Sequence, residues 1–286
     1  MARDIDPSER NPPERPGTER NIEPPRDVAP RQAPSRERQL LAGRHYAYHV
    51  SRAELEAMSD IGRFRTIAVE DLARHRYNGN TEQMRQDLRS LADQGLIQRR
   101  TIWTDANRQR LDVVVLTKQG RQMLEREPGQ ADQALYAGFV KPAEVRHDAA
   151  IYRMFQAEAG QIERAGGRIR RVVLDYELKQ KVYSPLAKAK ARPPLEYARR
   201  QAEVAQENGL KVIEGRIPLP DLRIEYETQD GEPARVDLEL ATHHYHGSHL
   251  QAKAEAGFKM YAPPDSAGHL RAVLEEREIT AGILSL

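Results

Sequence analysis

The sequence contains no cysteine, which excludes disulfides and thiolate-bound zinc and is compatible with a reducing compartment. No apolar run approaches the about 18 residues of a membrane-spanning helix, and no apolar stretch of the signal-peptide kind opens the chain. An excess of one charge is also missing. Against 45 Lys+Arg stand 43 Asp+Glu, a net charge of +2, so bulk charge announces no nucleic-acid partner and local patches must carry any such reading. Glycine-rich phosphate loops, serine-nucleophile elbows and dinucleotide fingerprints do not occur. A soluble cytoplasmic protein with no membrane partner is expected, and 286 residues suggest two domains.

Residues 1–38 hold eight of the eighteen prolines and almost no large apolar side chain. Such a stretch cannot bury enough surface to offset the entropy of ordering it, so a disordered, charged, Pro-rich spacer is expected there. Residues 39–127 have a different rhythm. Gln39 to Val50 reads as a lead-in strand, Ser51 with Glu54 has capping-box spacing, and Leu55, Met58 and Ile61 follow on one helical face. A short helix fits Ala68 to His75, and Tyr77-Asn78-Gly79 turns into a third helix capped by Asn80. In that helix Met84, Leu88 and Leu91 point inward and Gly95 marks the stop.

The outer face of the third helix carries Arg85, Gln86 and Arg89, side chains able to donate to base edges and phosphates. Behind it, Ile97 to Trp103 and Gln109 to Leu116 read as a hairpin with Arg99, Arg100, Arg108 and Arg110 on or near it. Trp103, the single tryptophan, is expected in the hairpin's core. Three helices and a basic hairpin describe a winged helix-turn-helix domain, with double-stranded DNA as its partner. Leu116 to Arg121 then leads to Met123 and Leu124, an exit similar to that of many bacterial winged-helix regulators.

Pro128-Gly129 breaks the pattern, and residues 128–143 read as a linker. From Glu144 to Ala165 a helix is expected, with Ile151, Phe155, Ala159 and Ile162 inward, then a strand from Ile169 to Leu178. Lys179 to Arg192 reads as a basic irregular stretch, a solvated face or a contact to the DNA backbone. Pro193-Pro194 opens another helix that Gly209 stops.

Residues 221–226 and 235–240 alternate polar and apolar side chains around Asp230-Gly231. A three-residue loop at 229–231, with Gly231 in the left-handed position, pairs Arg223 with Asp237 and Asp221 with Glu239. That register keeps Leu222, Ile224, Tyr226, Leu238 and Leu240 on the core side, whereas a two-residue loop mixes the faces. It also sets two carboxylates opposite each other, which is destabilising without a cation or a proton between them. A divalent ion with oxygen ligands, such as Mg²⁺ on Asp221 and Glu239, is the natural candidate. In His243-His244-Tyr245-His246, only His244 and His246 share a face if the segment is extended. No second ligand cluster points to zinc, so a polar loop edging the acidic site is expected, with His244 as a candidate phosphate contact.

Helix, strand, strand bearing Pro220-Asp221, strand bearing Glu239 and helix is an order that resembles the core of the PD-(D/E)xK nuclease superfamily. With the winged helix upstream, residues 45 to 265 resemble the replication-relaxation family of plasmids and integrative elements. The resemblance implies an α+β protein in which a winged helix precedes a restriction-endonuclease-like α/β domain, here residues 144–286. It implies Asp221 and Glu239 as catalytic metal ligands. The superfamily's lysine is expected two positions after the acid, where this chain has Ala241. Lys253 on the next helix is the replacement expected from lysine migration, and His147 and Asp148 are candidate accessories. The implied function is DNA binding in plasmid or mobile-element replication, mobilisation or its regulation, together with the element's replication or transfer proteins. Two alternatives remain open: a metal-dependent DNA endonuclease, and a non-catalytic adaptor in protein assembly.

Overall fold

The computed structural model describes residues 37–42, 46–103, 110–128, 132–242, 245–277, 279 and 281–286. The expected tail lies outside them, apart from its last two residues, as do the hairpin tip with Arg108, and His243 and His244. The fold is α+β, and residues from 35 onward form one compact unit. Among the described residues no helix is long and apolar enough to cross a membrane.

The lead-in segment is a hairpin rather than one strand: β1 (Arg38–Ala42) pairs antiparallel with β2 (Ala47–Ser51). Ser51 caps α1 (Arg52–Arg63) through the full capping box, its hydroxyl accepting from the Glu54 backbone and Glu54 accepting from the Ser51 N–H at 2.7 Å. The other oxygen of the buried Glu54 accepts from Arg38, which ties β1 to the cap. After the two-residue strand β3 (Ile67–Ala68) come α2 (Val69–His75) and α3 (Thr81–Asp93). Asn80 accepts from Gln83 N at 3.0 Å, and Gly95 stops α3 at φ +70°. The strands β4 (Ile97–Trp103) and β5 (Arg110–Leu116) pair antiparallel, in a sheet ordered β3-β5-β4. Trp103 is 65% exposed, contrary to its expected place in a core, because it ends the strand beyond the layer that α3 covers. Thr117 caps α4 (Lys118–Leu124), and Gly120 lies so close to the end of α3 that a Cβ there would sit 2.1 Å from Leu96 O.

Residues 132–141 dock tightly. Tyr136 N donates to Gly62 O, Gly138 N to Leu116 O, and the Gln133 amide pairs with both backbone groups of Val172. The long helix α5 (Pro142–Arg164) then packs Tyr152 and Phe155 on Phe64, ring centroids 5.1 and 4.8 Å apart. One apolar cluster accordingly runs from Val50 and Leu88 through Phe64 and α5 to Leu240.

The second sheet has the order β10-β9-β8-β7-β6, formed by β6 (Arg168–Leu174), β7 (Leu222–Glu227), β8 (Pro233–Leu240), β9 (Lys259–Ala262) and β10 (Ile283–Ser285). Pairing is antiparallel from β6 to β8 and parallel from β8 to β10. α5 packs on the face bearing Val172, Leu222, Leu238 and Leu240. The opposite face is covered by α6 (Asp175–Ala189), α7 (Pro194–Glu207), α8 (Gly247–Ala256) and α9 (Pro264–Glu276).

Two expectations fail here. The strand from Ile169 ends at Leu174, and the stretch expected to be irregular is α6, with Leu178, Val182, Leu186 and Ala189 as its buried stripe. The lysines and Pro185 between those residues disguise a helical period that tertiary packing enforces. Further on, α8 opens at Gly247 with His246 as its N-cap residue, without a side-chain bond.

The β7–β8 register is the expected one. Arg223 faces Asp237, Gly231 sits at φ +83°, and Thr228 and Glu232 close a three-residue loop. Arg223, buried to 4% exposure, grips both oxygens of Asp237 at 2.6 and 2.8 Å and donates to Asn208 O. Arg223→Ala should therefore lower stability by about 3 kcal/mol, since it strands a carboxylate that is mostly shielded from water. Glu225→Ala on the same strand, where the pairing with Arg171 is loose at 3.9 Å, should cost under about 1 kcal/mol. Urea midpoints measure both.

Candidate active site

The hairpin loop fixes which side chains of β7 and β8 face α6 to α8. One residue beyond the paired Leu222 and Leu238, the same register sets Asp221 across from Glu239, where the strand ends meet α8 and the start of α5. Glu239 is fully buried at 0% exposure. Its Oε1 accepts from Tyr245 Oη at 2.5 Å and lies 2.7 Å from Lys253 Nζ, while Oε2 is buried with no hydrogen-bond partner. Lys253 also donates to Leu219 O at 2.7 Å, which fixes its ammonium between the strand end and the acid.

Asp221 Oδ2 accepts from Leu240 N at 2.9 Å and faces His147 Nε2 at 3.4 Å. The other ring nitrogen of His147 lies 3.7 Å from Asp148, and Asp148 pairs with Arg65 at 3.3 Å. The sequence-expected Asp221, Glu239, Lys253, His147 and Asp148 are thus brought together, by β7, β8, α8 and the start of α5. Tyr245, which orients Glu239, was not expected. Its signal was the spacing from Glu239 across a short loop, hidden by the adjacent histidines.

Asp221, Glu239, Tyr245 and Lys253 form the floor of a cleft of about 820 Å³ walled by α6, α7, α8 and the 213–219 loop. Oxygen donors from two neighbouring strands, one of them a buried oxygen without a partner, fit a hard divalent cation. Among the described residues no group of three or more His, Asp or Glu side chains is arranged to hold a metal. Two carboxylates alone suit Mg²⁺, which commonly binds through one or two of them and keeps several waters.

The residues expected to touch DNA are elsewhere on the fold. Arg85, Gln86 and Arg89 are exposed on α3, with Gln86 donating to Glu82 and Arg85 loosely paired to the same acid at 3.9 Å. Arg99 and Arg100 are exposed on β4, Arg100 lying over the Phe139 ring at 4.0 Å. Arg110 is held by Asp112 at 2.9 Å. Arg108 and His244 lie outside the described residues.

Burial, and then the charge of Asp221, push the Glu239 carboxyl up to about 7 against the pull of Lys253. Burial opposes the charge on His147, but the Asp148 and Asp221 carboxylates outweigh it and carry the imidazole up to about 10. Burial and the Glu239 carboxylate keep the Tyr245 phenol protonated, far above its ordinary range. Glu239 thus binds a proton in the folded chain where the unfolded chain, with the ordinary value of 4.5, has released it. Its contribution to stability is full below 4.5 and is lost as pH rises through about 7. His147 adds a contribution that is full below 6.5 and is lost towards about 10. In EDTA, Glu239→Gln should flatten the fall in melting temperature between about pH 5 and 7 and leave the His147 slope above it. A variant profile as steep as the wild type would mean that Glu239 is already ionised across that window. Comparison of the chain with protein-family models, with curated proteins and with solved structures gave no match in any of the three.

Proposed function

We propose that the chain binds double-stranded DNA through α3 and the β4–β5 hairpin and cleaves phosphodiester bonds at Asp221, Glu239 and Lys253, in the replication or mobilisation of a plasmid or other mobile element. The observation that carries the cleavage reading is Glu239: a buried carboxylate beside a second one, held by a lysine from the following helix, with one oxygen unpartnered. The order α5, β6, β7, β8, α8, β9 supports a PD-(D/E)xK-like core, with α6 and α7 inserted between its first two strands. The order α1, β3, α2, α3, β4, β5 and the sheet order β3-β5-β4 support a winged helix.

Asp221 and Glu239 would hold the divalent cation. When bound, it neutralises phosphate charge and makes an attacking water acidic enough to ionise near neutral pH. Lys253 places its ammonium beside the acid pair, where it stabilises negative charge developing on the phosphate and orients the water. Tyr245 donates to Glu239 and keeps Oε2 turned away from its own hydroxyl. His147, charged near neutrality, steadies Asp221 and can protonate a leaving oxygen that reaches it.

Supercoiled plasmid should be nicked or linearised with Mg²⁺ or Mn²⁺ and left intact in EDTA, and Glu239→Gln or Lys253→Ala should slow this at least about 100-fold. The same ions should raise the wild-type melting temperature by linkage, and Glu239→Gln should abolish the rise. No cleavage and no thermal shift at millimolar metal would leave the second half a scaffold.

DNA binding is tested separately. With the full chain, Arg89→Ala should weaken duplex binding in fluorescence anisotropy, and Arg99→Ala should lower the slope of log affinity against log salt by about one. Salt-insensitive binding, or none, would favour the protein-assembly adaptor.

A further inference from the structure

The cleft above the acid pair carries features that cleavage chemistry alone does not need. Along α6 and its C-cap stand Lys179, Tyr183 and Lys190, a span of about 16 Å at helical rise. Tyr183 is 52% exposed, in a chain with few large apolar side chains on its described surface. Tyr197 of α7 and Arg216 of the 213–219 loop face the same space, and Tyr245 closes its floor. Acids also line it: Asp175 is paired with Lys179 at 2.5 Å, Glu239 with Lys253, and Asp221 faces His147, while Glu214 adds a further carboxylate. Among the described residues neither Lys190 nor Arg216 makes a side-chain ion pair.

We propose that this cleft holds an unpaired strand of DNA, with bases stacked on Tyr183 and Tyr197 and phosphates met by Lys190 and Arg216. The inference rests on the cleavage reading of the same floor and names its substrate as single-stranded DNA, such as a displaced or flapped strand. Its physical basis is accessibility. Glu239 has 0% exposure and lies beneath Tyr245 and the walls of α6 and α8. A duplex keeps its bases stacked inside, so half-exposed tyrosine rings inside a cleft find no free base face there. An unpaired strand can bend to the floor and offers every base as a stacking surface. Cations beside aromatic rings are the combination by which sequence-tolerant single-strand sites work. Duplex contact by α3 and strand capture in the cleft would then be separate functions of one compact unit.

The test uses the full chain in EDTA with a fluorescein-labelled single strand of ~15 nucleotides and a duplex of equal length. Tyr183→Ala combined with Tyr197→Ala should weaken single-strand binding by roughly thirtyfold or more and leave duplex affinity unchanged. Lys190→Glu should weaken it and reduce its salt dependence, and Tyr183→Phe should keep wild-type affinity. Melting temperatures equal to the wild type confirm that each variant folds. Unchanged single-strand binding in the double variant overturns the proposal, as does an equal loss for the duplex. Metal-dependent cleavage that ignores the tyrosines would overturn the cleft proposal and keep the catalytic one. Tyrosine-dependent strand binding without any cleavage would keep the cleft and remove the catalysis.

Discussion

A carboxylate with no exposure to water is the constraint around which the second half of the chain is arranged. Burying such a charge is costly unless it is paired, hydrogen-bonded or protonated. Tyr245 and Lys253 meet one oxygen of Glu239, and each is placed by backbone features upstream of it. The three-residue loop at Gly231 sets the register that turns Glu239 toward α8 rather than α5. A slip of one residue would exchange it with a leucine and point its charge into the apolar cluster under α5. Lys253 reaches the acid because α8 begins at Gly247, where Arg277 packs so closely that a Cβ would meet its Nε at 2.2 Å.

The acid pair is tied to the DNA-binding candidates through one helix. α5 brings His147 to Asp221 and, one residue on, Asp148 to Arg65 at the end of α1. Further along, the same helix meets Phe64 with two rings, and Arg153 pairs with Asp71 of α2. Arg65 adopts φ 59°, a conformation costing about 1–2 kcal/mol for a side-chain-bearing residue. Its contacts to Glu144, Asp148 and the Tyr176 ring hold it there. Arg65 thus links the end of α1 by ion pairs to the helix that carries His147.

Local signals account for what was legible in the sequence. Ser51 with Glu54, Asn80, Gly95 and Gly231 each specify a cap or turn through bonds within a few residues, and all four take the expected geometry. The hairpin register followed from the same locality, and it placed Arg223 opposite Asp237 before any long-range contact was considered. α6 was not legible, because its four buried residues are separated by lysines, Tyr183 and Pro185, and only the sheet face and α7 decide which side is inward. The exposure of Trp103 was hidden for a related reason: an aromatic at a strand end is buried only if another element extends over it. Tyr183 and Tyr197 became candidates only once two helices set them around one cleft.

Two acid sites on neighbouring positions of β8 distinguish a structural pair from an open one. Asp237 and Glu239 share a face of the strand, and each has a cation within hydrogen-bonding distance. At Asp237 both oxygens are taken by one guanidinium, which satisfies the carboxylate and leaves nothing for a ligand. At Glu239 lysine and tyrosine converge on the same oxygen, the second oxygen has no partner, and Asp221 adds charge of the same sign. A chain selecting only for stability could close the second site as it closes the first, with a bidentate arginine. The open oxygen instead leaves the pair to take a proton or a cation. Burial and the charge of Asp221 hold that proton up to about 7, whereas the guanidinium at Asp237 fills both oxygens and leaves no place for one.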